Sequence, residues 1–210
     1  MHIRLVLLLT LLFLPLPAYA TEVQNEVDHF VIHLKRFCID SGLSAKTARQ
    51  AWDGAGATSA FNGRFIADNR AELDAEYDSM LAMPGGADRI KAFGPTREEF
   101  IERQVRPDRI FYYGTSLFDS PVGKRHYTLS AEQPPSKDTF DWCDLHASFS
   151  SVSEALVLVE KAFSLEERQY KRGSRIEWRS DSYPNLKFGA VVDKAISDEA
   201  GNFIIEVKPK

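Results

Sequence analysis

The apolar positions of this chain change their period part-way along it, from 3.6 in the first half to two in the second. Val23, Val27, Phe30, Val31, Leu34 and Cys38 recur at helical spacing and form one stripe. A helix is therefore expected from Thr21 to about Ser41, with Gly42 as its stop. Thr21-Glu22-Val23-Gln24 opens it as a capping box, in which Thr and Gln satisfy each other's backbone donors. A shorter helix is expected over 43–52, capped by Ser44 and burying Ala48 and Trp52. Asp53 to Ser59 is glycine-rich loop. A third helix runs from Asn69 to about Met83, with Leu73, Tyr77, Met80 and Leu81 inward, and Pro84-Gly85-Gly86 ends it. Thr96-Arg97-Glu98-Glu99 caps a short fourth helix to about Val105. On it the pairs Glu99/Arg103 and Glu102/Arg106 read as solvated ion pairs of little energetic weight.

Beyond Pro107 the alternation is that of strands. Residues 109–117 and 124–130 flank Asp119-Ser-Pro-Val-Gly123, which has hairpin-turn composition. Residues 139–149 alternate most clearly. One face carries Asp141, Cys143, Leu145, Ala147 and Phe149; the other carries Phe140, Trp142, Asp144, His146 and Ser148. Ser151 caps a helix to about Ser164 that buries Ala155, Leu156, Val159 and Phe163. Strands at 175–179, 186–196 and 203–208 close the chain. Helices first, then hairpin-linked strands with one helix inserted, predict an α+β fold. The expectation is an antiparallel sheet of five to six strands in the C-terminal half, with the N-terminal helices packed on it.

The first twenty residues stand apart. Arg4 supplies a positive start, Leu5 to Leu14 a short apolar run, and Ala18-Tyr19-Ala20 a small-residue cleavage signal. Residues 1–20 are expected to be a cleaved signal peptide and 21–210 a single exported domain. The apolar run is too short to span a bilayer, which takes about 20 residues, so no stable membrane span is expected after cleavage. Localisation is expected to be periplasmic or extracellular. The full chain carries 26 Lys and Arg against 30 Asp and Glu, a net charge of −4, with the two signs interspersed. No basic block exists to hold nucleic acid or anionic lipid.

Two cysteines in an oxidising compartment are expected to pair, joining Cys38 to Cys143. Both fall on the predicted buried side of their own elements, so the bond would staple the first helix to the central strand. A loop of that length is worth about 4–5 kcal/mol in the chain-entropy picture.

Three constellations carry possible chemistry. His29 and His33 are four apart on the first helix, near Glu22, Glu26 and Asp40, and are candidate metal ligands. The glutamate that a metalloprotease places after the first histidine is Phe30 here. His126, Asp144 and His146 are candidate acid–base groups on the sheet. A strand register centred on the Pro134-Pro135 loop would set His126 against Asp144. No nucleophile elbow accompanies them. Phe140, Trp142 and Tyr112 are candidates for a binding platform, should one sheet face stay open. No cofactor is expected. The leading expectation is an exported, non-enzymatic binding or accessory protein of the cell envelope, with a protein or small molecule as its ligand. The alternative is a hydrolase of an envelope or extracellular polymer using the His/Asp group.

Overall fold

The computed structural model describes residues 18–58, 60–65, 70–93, 96–104, 109–171, 175–192 and 199–210. Its elements run α1 (Ala18–Leu34), continued by a π-helical turn (Lys35–Ile39), α2 (Ala45–Asp53), β1 (Asn62–Phe65), α3 (Arg70–Ala82), α4 (Gly86–Phe93) and α5 (Arg97–Gln104). They continue with β2 (Ile110–Ser120), β3 (Gly123–Gln133), β4 (Trp142–Phe149), α6 (Val152–Phe163), β5 (Leu165–Tyr170), β6 (Arg175–Ser180), β7 (Leu186–Val192) and β8 (Gly201–Pro209). The fold is α+β, as the periodicity predicts, but the antiparallel sheet holds eight strands in the order β1-β2-β3-β4-β8-β7-β6-β5. Each half is a meander of four strands. The halves join where β4 pairs with β8, and α6 carries the chain from the centre of the sheet to its far edge.

One sheet face is the core. Tyr127, Leu129 and Ala131 of β3, Cys143 to Phe149 of β4 at alternate positions, and Phe203, Ile205 and Val207 of β8 are all buried. α1 lies across them. Phe30 packs edge-on against Phe149 and Phe203, at ring distances of 5.3 and 5.8 Å, and those two stack at 4.2 Å. Cys38 is bonded to Cys143 with 5.7 Å between their Cα atoms, which ties the helix to the central strand as expected. The π turn, closed by Asp40 N–H donating to the Lys35 carbonyl (2.7 Å), lets Phe37 and Cys38 both face inward. α6 lies beside α1, with Ala155, Leu156, Val159 and Phe163 buried. Ser44 and Ser151 cap α2 and α6 as their sequences require. Thr96 caps α5 reciprocally with Glu99. A smaller cluster of Leu73, Phe100 and Ile101 joins α3 to α5.

Four differences from the sequence reading have physical causes. α1 already includes Ala18 to Ala20, so Thr21 sits inside the helix instead of capping it. α4 follows Gly85, whose φ of 71° stops α3 and restarts the chain. β1 and β5 are edge strands, short and mostly polar, and show no alternation to read. β4 begins at Trp142, because Phe140 donates its N–H to the Leu43 carbonyl (2.7 Å) and turns inward. Residues 1–17 of the expected leader lie outside the described residues, as do Arg106 and the side chains of Glu102 and Arg103. Among the described residues no helix is long and apolar enough to cross a membrane.

Candidate functional site

Helices cover the Cys143 face of the sheet; the opposite face is open among the described residues. Strand register arranges it in rows that cross the sheet. One row runs Tyr113, Ser130, Asp144, Glu206, Gly189, Glu177 and Gln169, each the direct partner of the next. A neighbouring row sets Phe111 against Glu132 and Glu132 against Trp142. On the other side lie Thr115, Thr128, His146, Ile204 and Val191.

The aromatic end of this face is a platform. Phe111 and Tyr113 stack with centroids 6.3 Å apart, and Trp142 stands 6.1 Å from Phe111. Tyr113 is 48% exposed, while Phe111 and Trp142 are half-buried. The indole N–H of Trp142 donates to Glu132 Oε2 (2.8 Å), which fixes the ring. Arg109 pairs with Glu132 and Asp141 beside it.

The centre of the face holds two carboxyl groups. Asp144 and Glu206 are direct cross-strand neighbours, a placement that brings Cβ atoms within about 5 Å. Arg175 Nη2 donates to Glu206 Oε1 (2.5 Å), and Lys208 Nζ lies 3.0 Å from the same oxygen. To get there the Arg175 side chain passes from β6 over β7. Gly189 borders that passage: a Cβ at its position would be in van der Waals contact with Arg175 Nη2 at 3.4 Å and Glu206 Oε1 at 3.6 Å, so a larger side chain would enter it. The same gap widens into a shallow cleft of about 450 Å³ bordered by Arg175, Glu177, Lys187, Glu206 and Lys208. Burial pushes the Asp144 carboxyl up to about 7; hydrogen bonds from Ser130 oppose the shift and the Glu206 charge adds to it. Asp144 is thus poised to hold a proton near neutrality.

Comparison of the chain with family models, with curated proteins and with solved structures finds no match.

The residues singled out from sequence fall as follows. Asp144, His146 and Trp142 share the open face, and so does His126. The register, however, sets Ser130 and not His126 against Asp144. Carried two steps past Thr128/His146, it places His126 level with Ser148, four residues from Asp144, or about 13 Å along the strand. The strand pair is offset because the β3–β4 loop is longer on the β4 side than a register centred on the prolines assumes. Phe140 is 1% exposed and belongs to the core, and Tyr112 faces the helix side, packed on Phe61 and Phe140 at 5.5 and 5.4 Å. Of the three platform candidates only Trp142 is on the open face. Sequence reasoning missed Glu206 and Arg175, and the alternation of β8 and β6 was the signal that places both outward.

His29 and His33 lie elsewhere, on the flank of α1 that meets the tip of the β2–β3 hairpin. His33 is 6% exposed and packed among Phe37, Phe118 and Tyr127 at ring distances of 5.1, 4.6 and 5.2 Å. Burial, then the charges of His29 and Arg36, push its imidazole down to about 4. His29 is half-exposed. Its Nε2 lies 2.7 Å from the Asp119 carbonyl oxygen and its Nδ1 2.7 Å from Tyr127 Oη, and the tautomer sets which nitrogen donates. Burial lowers its pKa and the Asp119 contact opposes the shift. Glu26, one turn before, is 3% exposed and spoken for: it ion-pairs with Arg125 and accepts the Ser150 N–H (2.8 Å). Among the described residues no group of three or more His, Cys, Asp or Glu side chains is placed to hold a metal ion.

Proposed function

We propose that this protein is an exported, disulfide-pinned binding module of the cell envelope, and that its ligand lies on the open face of the sheet across β2, β3 and β4. One observation supports this reading above the rest. Phe111, Tyr113 and Trp142 form a half-exposed aromatic platform on strands, with Tyr113 in register with the polar row of Ser130, Asp144 and Glu206 and the other two rings in the row beside it. Rings on strands offer a flat apolar surface at low entropic cost. Adjacent carboxyl and hydroxyl groups fix orientation. That combination suits a ligand with a flat apolar face edged by hydroxyl or amide groups, as an amino-sugar polymer has. Export is supported by the leader sequence and by the disulfide. The test is to titrate labelled protein with solubilised cell-wall fragments and follow amide resonances. Shifts confined to β2, β3 and β4, and lost in a Tyr113→Ala/Trp142→Ala variant, are expected. Shifts on the α1–α6 side, or binding unchanged in that variant, reject the reading.

A second reading, hydrolysis of such a polymer, draws on the Asp144 carboxyl that holds its proton near neutrality beside the Glu206 carboxylate. A protonated carboxyl beside a second carboxyl suits acid–base cleavage of a glycosidic bond. Turnover by the wild type, abolished in Asp144→Asn with binding intact, would establish it. Binding without turnover leaves the module reading alone.

A further inference from the structure

The register of the open face gathers basic side chains that lie apart in the sequence. Lys187 of β7 and Lys208 of β8 are direct cross-strand partners. Carried one step past Trp178 and Phe188, the β6–β7 register sets Arg179 against Lys187. Carried one step past Cys143 and Val207, the β4–β8 register sets Trp142 against Lys208. The row that begins with Phe111, Glu132 and Trp142 therefore continues as Lys208, Lys187 and Arg179. Like charges directly opposite each other on a sheet repel and lower stability. The two outer cations turn to carboxylates of their own, Lys208 to Glu206 (3.0 Å) and Arg179 to Glu167 (3.2 Å). Lys187 stands exposed between them, and among the described residues it pairs with no carboxylate.

This row borders the cleft of about 450 Å³, a size within the range of small-ligand sites. Five basic side chains line it, Arg175 and Lys210 with the three of the row, against the carboxylates of Glu167, Glu177 and Glu206. Arg175 reaches Glu177 (3.4 Å) as well as Glu206, so each of those acids already has a cation. The chain as a whole carries a net charge of −4, and the excess of basic side chains here runs against that sign. Toward the platform, Glu132 is paired with Arg109 and accepts the Trp142 indole N–H. Asp144 holds its proton up to about pH 7. The surface between platform and cleft thus carries little unpaired negative charge near neutrality.

Resting on the sheet-face reading above, we propose that the ligand is an acidic glycan: a sugar ring lies on Trp142 and its aromatic neighbours, and an anionic group of the same glycan, carboxylate or phosphate, binds Lys187 with Lys208 and Arg179 at its sides. Trp142 and Lys187 are two strand spacings apart, about 9–10 Å, which a short oligosaccharide bridges. The anion relieves the repulsion among the three cations and gains charge-assisted hydrogen bonds from them. One unpaired lysine between two paired cations suits an occasional acid group along a sugar chain. A nucleic acid, with a phosphate at every unit, calls for a longer run of free cations.

The experiment uses the full-length chain, titrated by calorimetry at low salt with oligosaccharides of equal length: an N-acetylglucosamine oligomer, its phosphorylated derivative, and a hyaluronan oligomer, which bears carboxylates. An acidic oligomer is expected to bind at least about tenfold more tightly than the neutral one, and the tighter of the two acidic probes distinguishes phosphate from carboxylate. High salt is expected to erase that advantage. Lys187→Gln removes an exposed charge that two like charges flank, so it should melt no lower than the wild type. It is expected to lose about three- to tenfold in affinity for the acidic oligomer and none for the neutral one. Tyr113→Ala/Trp142→Ala is expected to lose both. Equal binding of neutral and acidic oligomers, or wild-type affinity for the acidic one in Lys187→Gln, overturns the ligand charge and leaves the sheet-face reading standing. Acidic binding lost in Lys187→Gln but unchanged in Tyr113→Ala/Trp142→Ala separates the cleft from the platform and overturns both. No binding of either acidic oligomer overturns the ligand charge, while the cell-wall fragments still decide the sheet-face reading. A single-stranded oligonucleotide bound more tightly than the acidic oligomers, its bases stacked on the rings, overturns it as well.

Discussion

Asp144 and Glu206 lie directly opposite each other on β4 and β8, with both carboxyl groups on the open face of the sheet. The folded chain holds the Asp144 proton up to about pH 7, where an ordinary aspartate gives it up at 3.8. Between those values the folded state binds more protons than the unfolded one, so stability falls as pH rises from 3.8 to 7 and stays low above. Asp144→Asn removes the titration and keeps the shape. The variant is expected to be more stable than the wild type by about 1–2 kcal/mol at pH 8, after allowance for solvent screening. The gain shrinks to nothing near pH 4. Urea unfolding at pH 4, 6 and 8 measures it; a gain that does not grow with pH would show that Asp144 is not the titrating group.

Arg175 guards the same pair from the far side of β7. Its guanidinium supplies charge to Glu206 across the space that Gly189 leaves empty. Removing it leaves two neighbouring carboxyls with Lys208 as the remaining cation on Glu206. Arg175→Ala is expected to cost about 1–3 kcal/mol at pH 8 and less at pH 5, where Asp144 is protonated. Gly189→Val, which blocks the passage without touching either charge, is expected to reproduce the loss of the ion pair. Denaturant midpoints of both variants at the two pH values decide it, and a cost independent of pH would break the link between Arg175 and the carboxyl pair.

The sequence reading reached the fold class, the face assignment of β4 and the disulfide, because each is written in a local period. It missed what depends on pairing across distance. Glu206 meets Asp144 only because β8 returns to lie beside β4, and no local pattern states that return. His33 and Glu26 look like one polar helix face. Both are buried, because α1 is clasped by the hairpin tip on the flank where a helix resting on a sheet would meet water. The outward positions of β5 and β1 carry no alternation, so those edges were silent. Phe140 obeys the alternation of its neighbours and still turns inward, because a main-chain bond to Leu43 overrides it.

Two fastenings hold α1 to the sheet, and they should differ in kind. The Cys38–Cys143 bond closes a loop of 105 positions and acts mainly on the unfolded chain. Replacing both cysteines with alanine is expected to cost about 2–5 kcal/mol. Glu26 pairs with Arg125 and accepts the Ser150 N–H in a site only 3% exposed. Glu26→Gln leaves the arginine half-paired and is expected to cost about 2–4 kcal/mol. The disulfide loss should vanish when wild type and variant are compared under reducing conditions, whereas the Glu26 loss should persist. Chemical denaturation with and without reductant separates the two.

His33 makes the packing of α1 on the β2–β3 hairpin sensitive to acid. Its folded-state pKa of about 4 lies below the ordinary 6.5, so above pH 6.5 the ring is neutral in both states and contributes no pH dependence. Between 6.5 and 4 the unfolded chain takes up a proton that the folded chain refuses, and stability falls as pH falls. Below 4 both states are protonated and the loss levels off. His33→Phe fills the same aromatic niche and removes the buried nitrogen that has no partner. This variant is expected to match or exceed wild-type stability at pH 7 by up to about 1 kcal/mol. The margin should widen steadily from pH 6.5 down to pH 4, since the substituted ring has no proton to accept. Melting temperatures of the two proteins along that range would show it. Parallel curves for wild type and variant would mean that the acid sensitivity belongs to another group.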